Sequence, residues 1–241
     1  MFIYDLCLAL VGILAGAIAS ICGFGIGSFL TPLMAMKTGT GIAVAGVSIV
    51  HLLGTAFRFW KWKDFINKQV LFSFGLTSAI GGLLGALFHN TFQNIILTVI
   101  FAVLLIFAGA SGLTGISEKW RLSGPLAWIA GALSGLFGGL VGNQGGIRSA
   151  AMFGFHLKGK EFIATATGIA LAVDCVRMPV YCMTQWREIW NIWPLIVFGA
   201  VGVLIGTELG IIVLGKIPER LFKRAVSGMI LLIGIWVLLH Q

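Results

Sequence analysis

An apolar run extends from Ile3 to Met36 and is broken near its middle by Cys22-Gly23-Phe24-Gly25-Ile26-Gly27. As one helix it would rise about 51 Å at 1.5 Å per residue, well beyond a hydrocarbon core of about 30 Å. Each glycine lowers helix stability by roughly 1 kcal/mol relative to alanine, so this cluster is poor continuous helix. Backbone freed inside a membrane must be buried in protein or line a cavity. A second long run, 125–156, is broken at Val141-Gly142-Asn143-Gln144-Gly145-Gly146, 119 positions after the first. Gly12 and Gly16 precede the first break at the same offset at which Gly131 and Gly135 precede the second.

Between and after the broken runs lie apolar segments at 41–60, 69–88 and 92–113, then at 161–183, 191–213 and 219–239. Hydrophobic residues make up 59% of the chain and charged residues only 10%, where a soluble domain carries about 25% charge. Recurring runs of spanning length without strand-like alternation predict an all-α polytopic membrane protein with eight apolar segments. The 34 glycines suit close helix–helix approach. The net charge of +8 reads as basic loops held on the cytoplasmic side and predicts no nucleic-acid partner. Met1-Phe2-Ile3-Tyr4-Asp5 offers no basic region of a cleaved leader, so the first helix is expected to stay. Cys7, Cys22, Cys175 and Cys182 lie in apolar segments without metal-ligand spacing, so neither metal nor cofactor is expected.

The halves match in order: a broken run, then three helices. Ser48/Thr167 and Arg58/Arg177 keep the offset of 119, which drifts to 124 at Gly75/Gly199 and 125 at Gly109/Gly234. The expected organisation is repeat 1 at 1–113, a connector at 114–124 and repeat 2 at 125–241. Loop charges decide whether the broken runs cross. Full crossings divide the loop cations almost evenly between the two sides. Re-entrant hairpins leave Lys37 and Arg187 on one side and put Lys61, Lys63, Lys68, Lys119, Arg121, Lys158, Lys160, Lys216, Arg220, Lys223 and Arg224 on the other. The positive-inside rule selects the second arrangement: inverted repeats, each a re-entrant segment plus three helices, with both termini non-cytoplasmic.

Arg148, near the start of the short segment after the second break, is the sharpest candidate for chemistry; its counterpart in the first half is Phe29. Intramembrane charge is costly and marks function by default, and a guanidinium fork beside a helix N-terminus suits an oxyanion. The rival reading pairs Arg148 with Asp174 or Glu208, or bonds it to carbonyls at the break. Asn143 and Gln144 occupy the break and can donate to an anion or satisfy loose carbonyls. With them, Gly145 and Gly146, and Gly23, Phe24, Gly25 and Gly27 of the first break, form the expected substrate site. Ser48, His51, Thr55 and Arg58 make one polar stripe, and Thr167, Asp174 and Arg177 repeat it on the equivalent helix; such stripes face a bundle interior or a water path. His51 can relay protons or simply pack, Asp174 and Arg177 can gate or pair with each other, and Glu208 is a second acidic candidate for proton coupling. No nucleophile–base pair at recognisable spacing points to an enzyme.

In GILAGAIASICGFGIGSFLTP, GALSGLFGGLVGNQGGIRSA and TATGIALAVDCVRMPVY the chain resembles the TauE/SafE family of sulfite and organosulfonate exporters, over essentially its whole length. The resemblance implies an inner-membrane permease, often outward-directed, for sulfite, sulfoacetate, thiosulfate and related anions. The family pattern of a GGG run followed by proline reads here as GFGIG with Pro32, and as GNQGG with Arg148 and with Ala151 in place of the proline. The expected function is a secondary transporter of small sulfur oxyanions, working by alternating access in the lipid bilayer; a coupling proton and self-association are compatible with it. A passive anion channel on the same scaffold is the alternative.

Overall fold

The computed structural model describes residues 2–92, 94–116, 124–143, 145–152, 155, 157, 159–213 and 219–240, and every regular element among them is helical. In chain order these are α1 (Phe2–Cys22), α2 (Ile26–Thr38), α3 (Thr40–Trp62), α4 (Lys68–His89), α5 (Asn94–Thr114), α6 (Pro125–Val141), α7 (Gly145–Met152), α8 (Gly159–Thr184), the short α9 (Trp186–Asn191), α10 (Trp193–Val213) and α11 (Glu219–Leu239). Six stretches, Ile3–Cys22, Thr40–Phe65, Lys68–His89, Asn94–Thr114, Gly159–Thr184 and Trp193–Ile212, are long and apolar enough to cross a membrane. Pro125–Val141 and Val226–Leu239 are shorter apolar helices. The chain is a polytopic all-helical membrane protein.

Local chemistry sets the boundaries. Asn67 caps α4, its side chain accepting from the Val70 N–H at 3.0 Å. Pro125 begins α6, where its missing N–H costs nothing. Gly142 ends α6 in the left-handed conformation (φ 74°) that glycine adopts without penalty. Gly25 takes φ 141° between α1 and α2, which only glycine adopts cheaply. Helical continuity thus breaks at both glycine clusters.

At the first break the chain turns back on itself. The Tyr4 hydroxyl donates to the Leu33 carbonyl at 2.5 Å, and the Lys37 ammonium lies 3.6 Å from the Tyr4 ring centroid. At the other end of the pair, a Cβ on Gly25 would stand 2.8 Å from Ile18. α2 therefore runs antiparallel along α1, and Lys37 ends beside the start of the chain.

The main helix pairs join one half of the chain to the other. α1 packs parallel to α10: a Cβ on Gly12 would stand 2.9 Å from the Gly199 carbonyl oxygen, and Gly210 lies against Ala17 and Ser20. α6 packs parallel to α4 in the same manner, Gly131 against Phe74 and Thr77, Gly139 against Gly82 and Ala86. Gly16, Gly135 and Gly206 sit in these seams with no room for a side chain. Close backbone approach through small residues is how helices associate where lipid competes for apolar surface. α5 and α11 pack antiparallel, Gly109 against Leu231 and Gly234 against Leu105. In the middle, α3 and α8 run antiparallel, with Trp62 near Ile163 and His51 near Asp174.

α3 and α8 are the most enclosed helices, and the polar stripe of each is buried. α4 and α5 turn Phe72, Leu76, Ile80, Ile95 and Val103 outward, as lipid-facing helices do. Trp60, Trp186, Trp190 and Trp193 are exposed at segment ends, as an aromatic belt requires. Trp62, two residues after Trp60, is instead buried against Ile163 and Ala164.

Candidate functional site

The two breaks meet. Phe24 of the first lies on Gly145 of the second, where a Cβ would stand 2.5 Å from the Phe24 ring. A Cβ on Gly27 would come within 2.6 Å of the Gly142 carbonyl oxygen. Arg148 ties the breaks together: its Nη2 donates to the Gly23 carbonyl at 3.0 Å. Gly23, Phe24, Gly27, Gly142, Gly145 and Arg148 thus converge on one locus. Asn143 is buried in the same break, and Gly146 lies within α7. Gln144 falls outside the described residues.

The exposed carbonyls at the end of α6 explain much of the polar apparatus around the second break. The last carbonyls of a helix have no intrahelical partner. Here the Gly139 carbonyl accepts from the Tyr181 hydroxyl and the Leu140 carbonyl from His89 Nδ1 at 2.6 Å, while the Gly138 carbonyl, already bonded to the Gly142 N–H at 3.1 Å, also accepts from Arg177 Nη1 at 2.5 Å. Arg177 is held in turn by Asp174, with Nη2 2.7 Å and Nε 3.0 Å from Oδ1. The other Asp174 oxygen lies 2.7 Å from His51 Nδ1. Thr55 donates to the His51 carbonyl at 2.5 Å and completes the chain. Asp174 and Arg177 therefore pair with each other and brace the break. Tyr181 and His89 went unremarked on sequence. Tyr181 follows Arg177 by one helical turn and so shares its face, a readable signal; His89 has none beyond being polar at the end of an apolar segment.

Two arginines behave differently from Arg177. Arg148 is 1% exposed, and among the described residues its Nε and Nη1 meet no hydrogen-bond partner. Arg58 is 2% exposed, and its Nε and Nη1 are likewise buried without a partner. Arg58, on α3, stands within electrostatic reach of both Arg148 and Asp174. Most other orphaned polar atoms of this region can donate too, Asn143 Nδ2 and the hydroxyls of Thr31, Thr167 and Thr207; Glu208 Oε2, beside Thr207, is a buried acceptor without a partner among the described residues. Thr167 follows Ala166, whose Cβ lies 3.6 Å from the Cβ position of Gly23. Thr207 faces Gly54, one turn before Arg58. Buried donors left without acceptors cost free energy unless an acceptor arrives. An oxyanion has that chemistry: several acceptor oxygens and negative charge.

The remaining candidates lie apart. Ser48 donates to the Val44 carbonyl of its own helix at 2.6 Å. Glu208 pairs with Lys61 at 3.1 Å on a partly exposed surface, rather than with Arg148.

A glycine-seamed polytopic helical bundle with a buried, donor-rich centre defines the class: a multi-pass membrane protein with a polar site enclosed among its helices. A family model describing the sulfite exporter TauE/SafE matches residues 8–237, nearly the whole chain. The chain belongs to the TauE/SafE family of sulfite and sulfonate exporter-type membrane transporters. No curated protein matches it. No solved structure matches it either.

Proposed function

We propose that the protein is a secondary transporter that exports small sulfur oxyanions, such as sulfite or an organosulfonate, across the inner membrane. The observation that carries this reading is Arg148, fully buried where the breaks meet and spending one donor on Gly23 while two more have no partner among the described residues. The anion binds there near the midplane, on Arg148 and Asn143, with the backbone of both breaks around it. Residues 1–113 and 125–241 act as inverted repeats joined by 114–124. The exchange of partners between halves supports this, since α1 against α10 is the same contact as α6 against α4 seen from the other half. So does the returning course of α2, which leaves Lys37 and Lys61 at opposite ends of α3. The repeats rock about this centre for alternating access, and both termini face the non-cytoplasmic side. In this reading His51 and Asp174, the only buried imidazole–carboxylate pair among the described residues, couple transport to protons.

The test is a flux panel in proteoliposomes: sulfite, thiosulfate, sulfoacetate, sulfate and an amino acid, with and without a pH gradient. Sulfur oxyanions are expected to move and the amino acid is not; indifference among all of them overturns the reading. Arg148→Ala should abolish binding and flux, by more than about 100-fold, while the protein still elutes as a folded species. Normal flux in that variant would make Arg148 structural. Cysteine labels at positions 37 and 61 should react from opposite sides; labelling from one side breaks the inverted arrangement.

A further inference from the structure

The polar centre holds more positive charge than it neutralises. Arg58, Arg148 and Arg177 are all 2% exposed or less, and the carboxylate buried with them is Asp174. That carboxylate is committed to Arg177 at 2.7 Å and to His51 on its other oxygen. The nearby Lys61–Glu208 pair is neutral by itself and sits at the partly exposed edge. With a neutral imidazole, three guanidiniums against one carboxylate leave two positive charges. Both uncommitted guanidiniums, Arg58 and Arg148, keep Nε and Nη1 free of partners among the described residues. They come from different helices, α3 and α7, so they approach a common ligand from two directions.

We propose that Arg58 is a second anion-binding residue of this site and that the site takes its ligand as a dianion. The inference rests on the anion-transporter reading above and goes beyond it in ligand charge and in the role of Arg58. A divalent oxyanion neutralises both guanidiniums. A monovalent one leaves one buried charge uncompensated, which a low-dielectric interior penalises. Selectivity therefore arises from charge before size. The site discriminates within one headgroup: a sulfonate carrying a second anionic group binds, and the same sulfonate on an alkyl chain binds poorly.

The experiment compares sulfoacetate with methanesulfonate, two sulfonates that differ in net charge, by binding to purified protein in detergent and by flux in proteoliposomes. Wild-type protein is expected to prefer the dianion by at least about tenfold, the discrimination expected of a site left with unpaired groups. Arg58→Gln should weaken sulfoacetate far more than methanesulfonate, so that the preference is lost, and Arg58→Lys should keep part of it. Equal wild-type affinity for both sulfonates overturns the dianion inference and leaves the transporter reading standing. Failure of every sulfur oxyanion to bind sinks the transporter reading itself. If Arg58→Gln weakens both ligands equally and lowers thermal stability, Arg58 supports the fold and its assignment to the site is wrong. Should that variant not fold, Arg58→Lys decides: a charge preference reduced but not abolished supports the inference, and a preference equal to that of the wild type overturns the role of Arg58.

Discussion

The two halves of this molecule carry the same helices and spend their arginines differently. At the offset of 119, Arg58 matches Arg177, Thr55 matches Asp174, and Trp62 matches Tyr181. In the second half the carboxylate sits one turn before the arginine and holds it, and the arginine caps the end of α6. In the first half a threonine stands where the carboxylate would be, and Arg58 has no acceptor for Nε or Nη1 among the described residues. Phe29 matches Arg148 in the same asymmetric way: aromatic packing on one side of the centre, a guanidinium on the other. On the proposed repeat reading, duplication supplies a scaffold with two matching breaks, and divergence leaves the second braced by Arg177 and Asp174 while Arg58 and Arg148 keep donors without partners among the described residues. A perfectly symmetric chain would either neutralise both helix arginines or neither.

The largest effect should come from breaking the braced side. Asp174→Asn removes the charge that compensates Arg177 and leaves a guanidinium buried at 1% exposure. Removing one partner of a buried pair costs about 3–5 kcal/mol, enough to deplete folded protein. Expression yield and melting in detergent should both fall sharply. Unchanged melting would mean that the pair does not support the second break. The next effect should come from making the first half resemble the second. Thr55→Asp places a carboxylate three residues before Arg58, the spacing of Asp174 and Arg177. The variant should fold, since the new charge has a buried cation to meet, yet lose dianion flux by about tenfold or more. Undiminished flux would show that Arg58 does not act on the anion.

Both breaks and the burial of Arg148 beside them were legible in the sequence because glycine clusters and isolated charges stand out against an apolar background. The membrane class and the family follow from the same features. What was not legible is how the halves exchange partners. Gly12 and Gly16 read as a prelude to the first break, but they form a packing seam with α10, set by a helix nearly 190 residues away. Glu208 lies next to Thr207, which faces the centre, but its own side chain reaches outward to Lys61; adjacent helix positions point in different directions, and only the seam decides which one turns inward. The donors that cap α6 come from α4 and α8, and no local pattern near Gly138 announces them.

The smallest of these effects concerns one such cap. Tyr181→Phe keeps the ring, which packs 5.1 Å from His89 by centroids, and removes only the hydroxyl that donates to the Gly139 carbonyl. A buried acceptor left without that donor costs about 1–2 kcal/mol. For a chain of this size that corresponds to a melting shift on the order of 2–8 °C. The matching change in the first half, Trp62→Phe, loses packing against Ile163 and Ala164, with no cap at the end of α1 to lose among the described contacts. The two variants should therefore separate in function more than in stability. Tyr181→Phe should slow flux several-fold, because the last turn of α6 positions Asn143 and the start of α7, whereas Trp62→Phe should leave flux per folded molecule unchanged. If both variants alter flux equally, the two breaks contribute alike to transport, and their division into a braced support and a charged site does not hold.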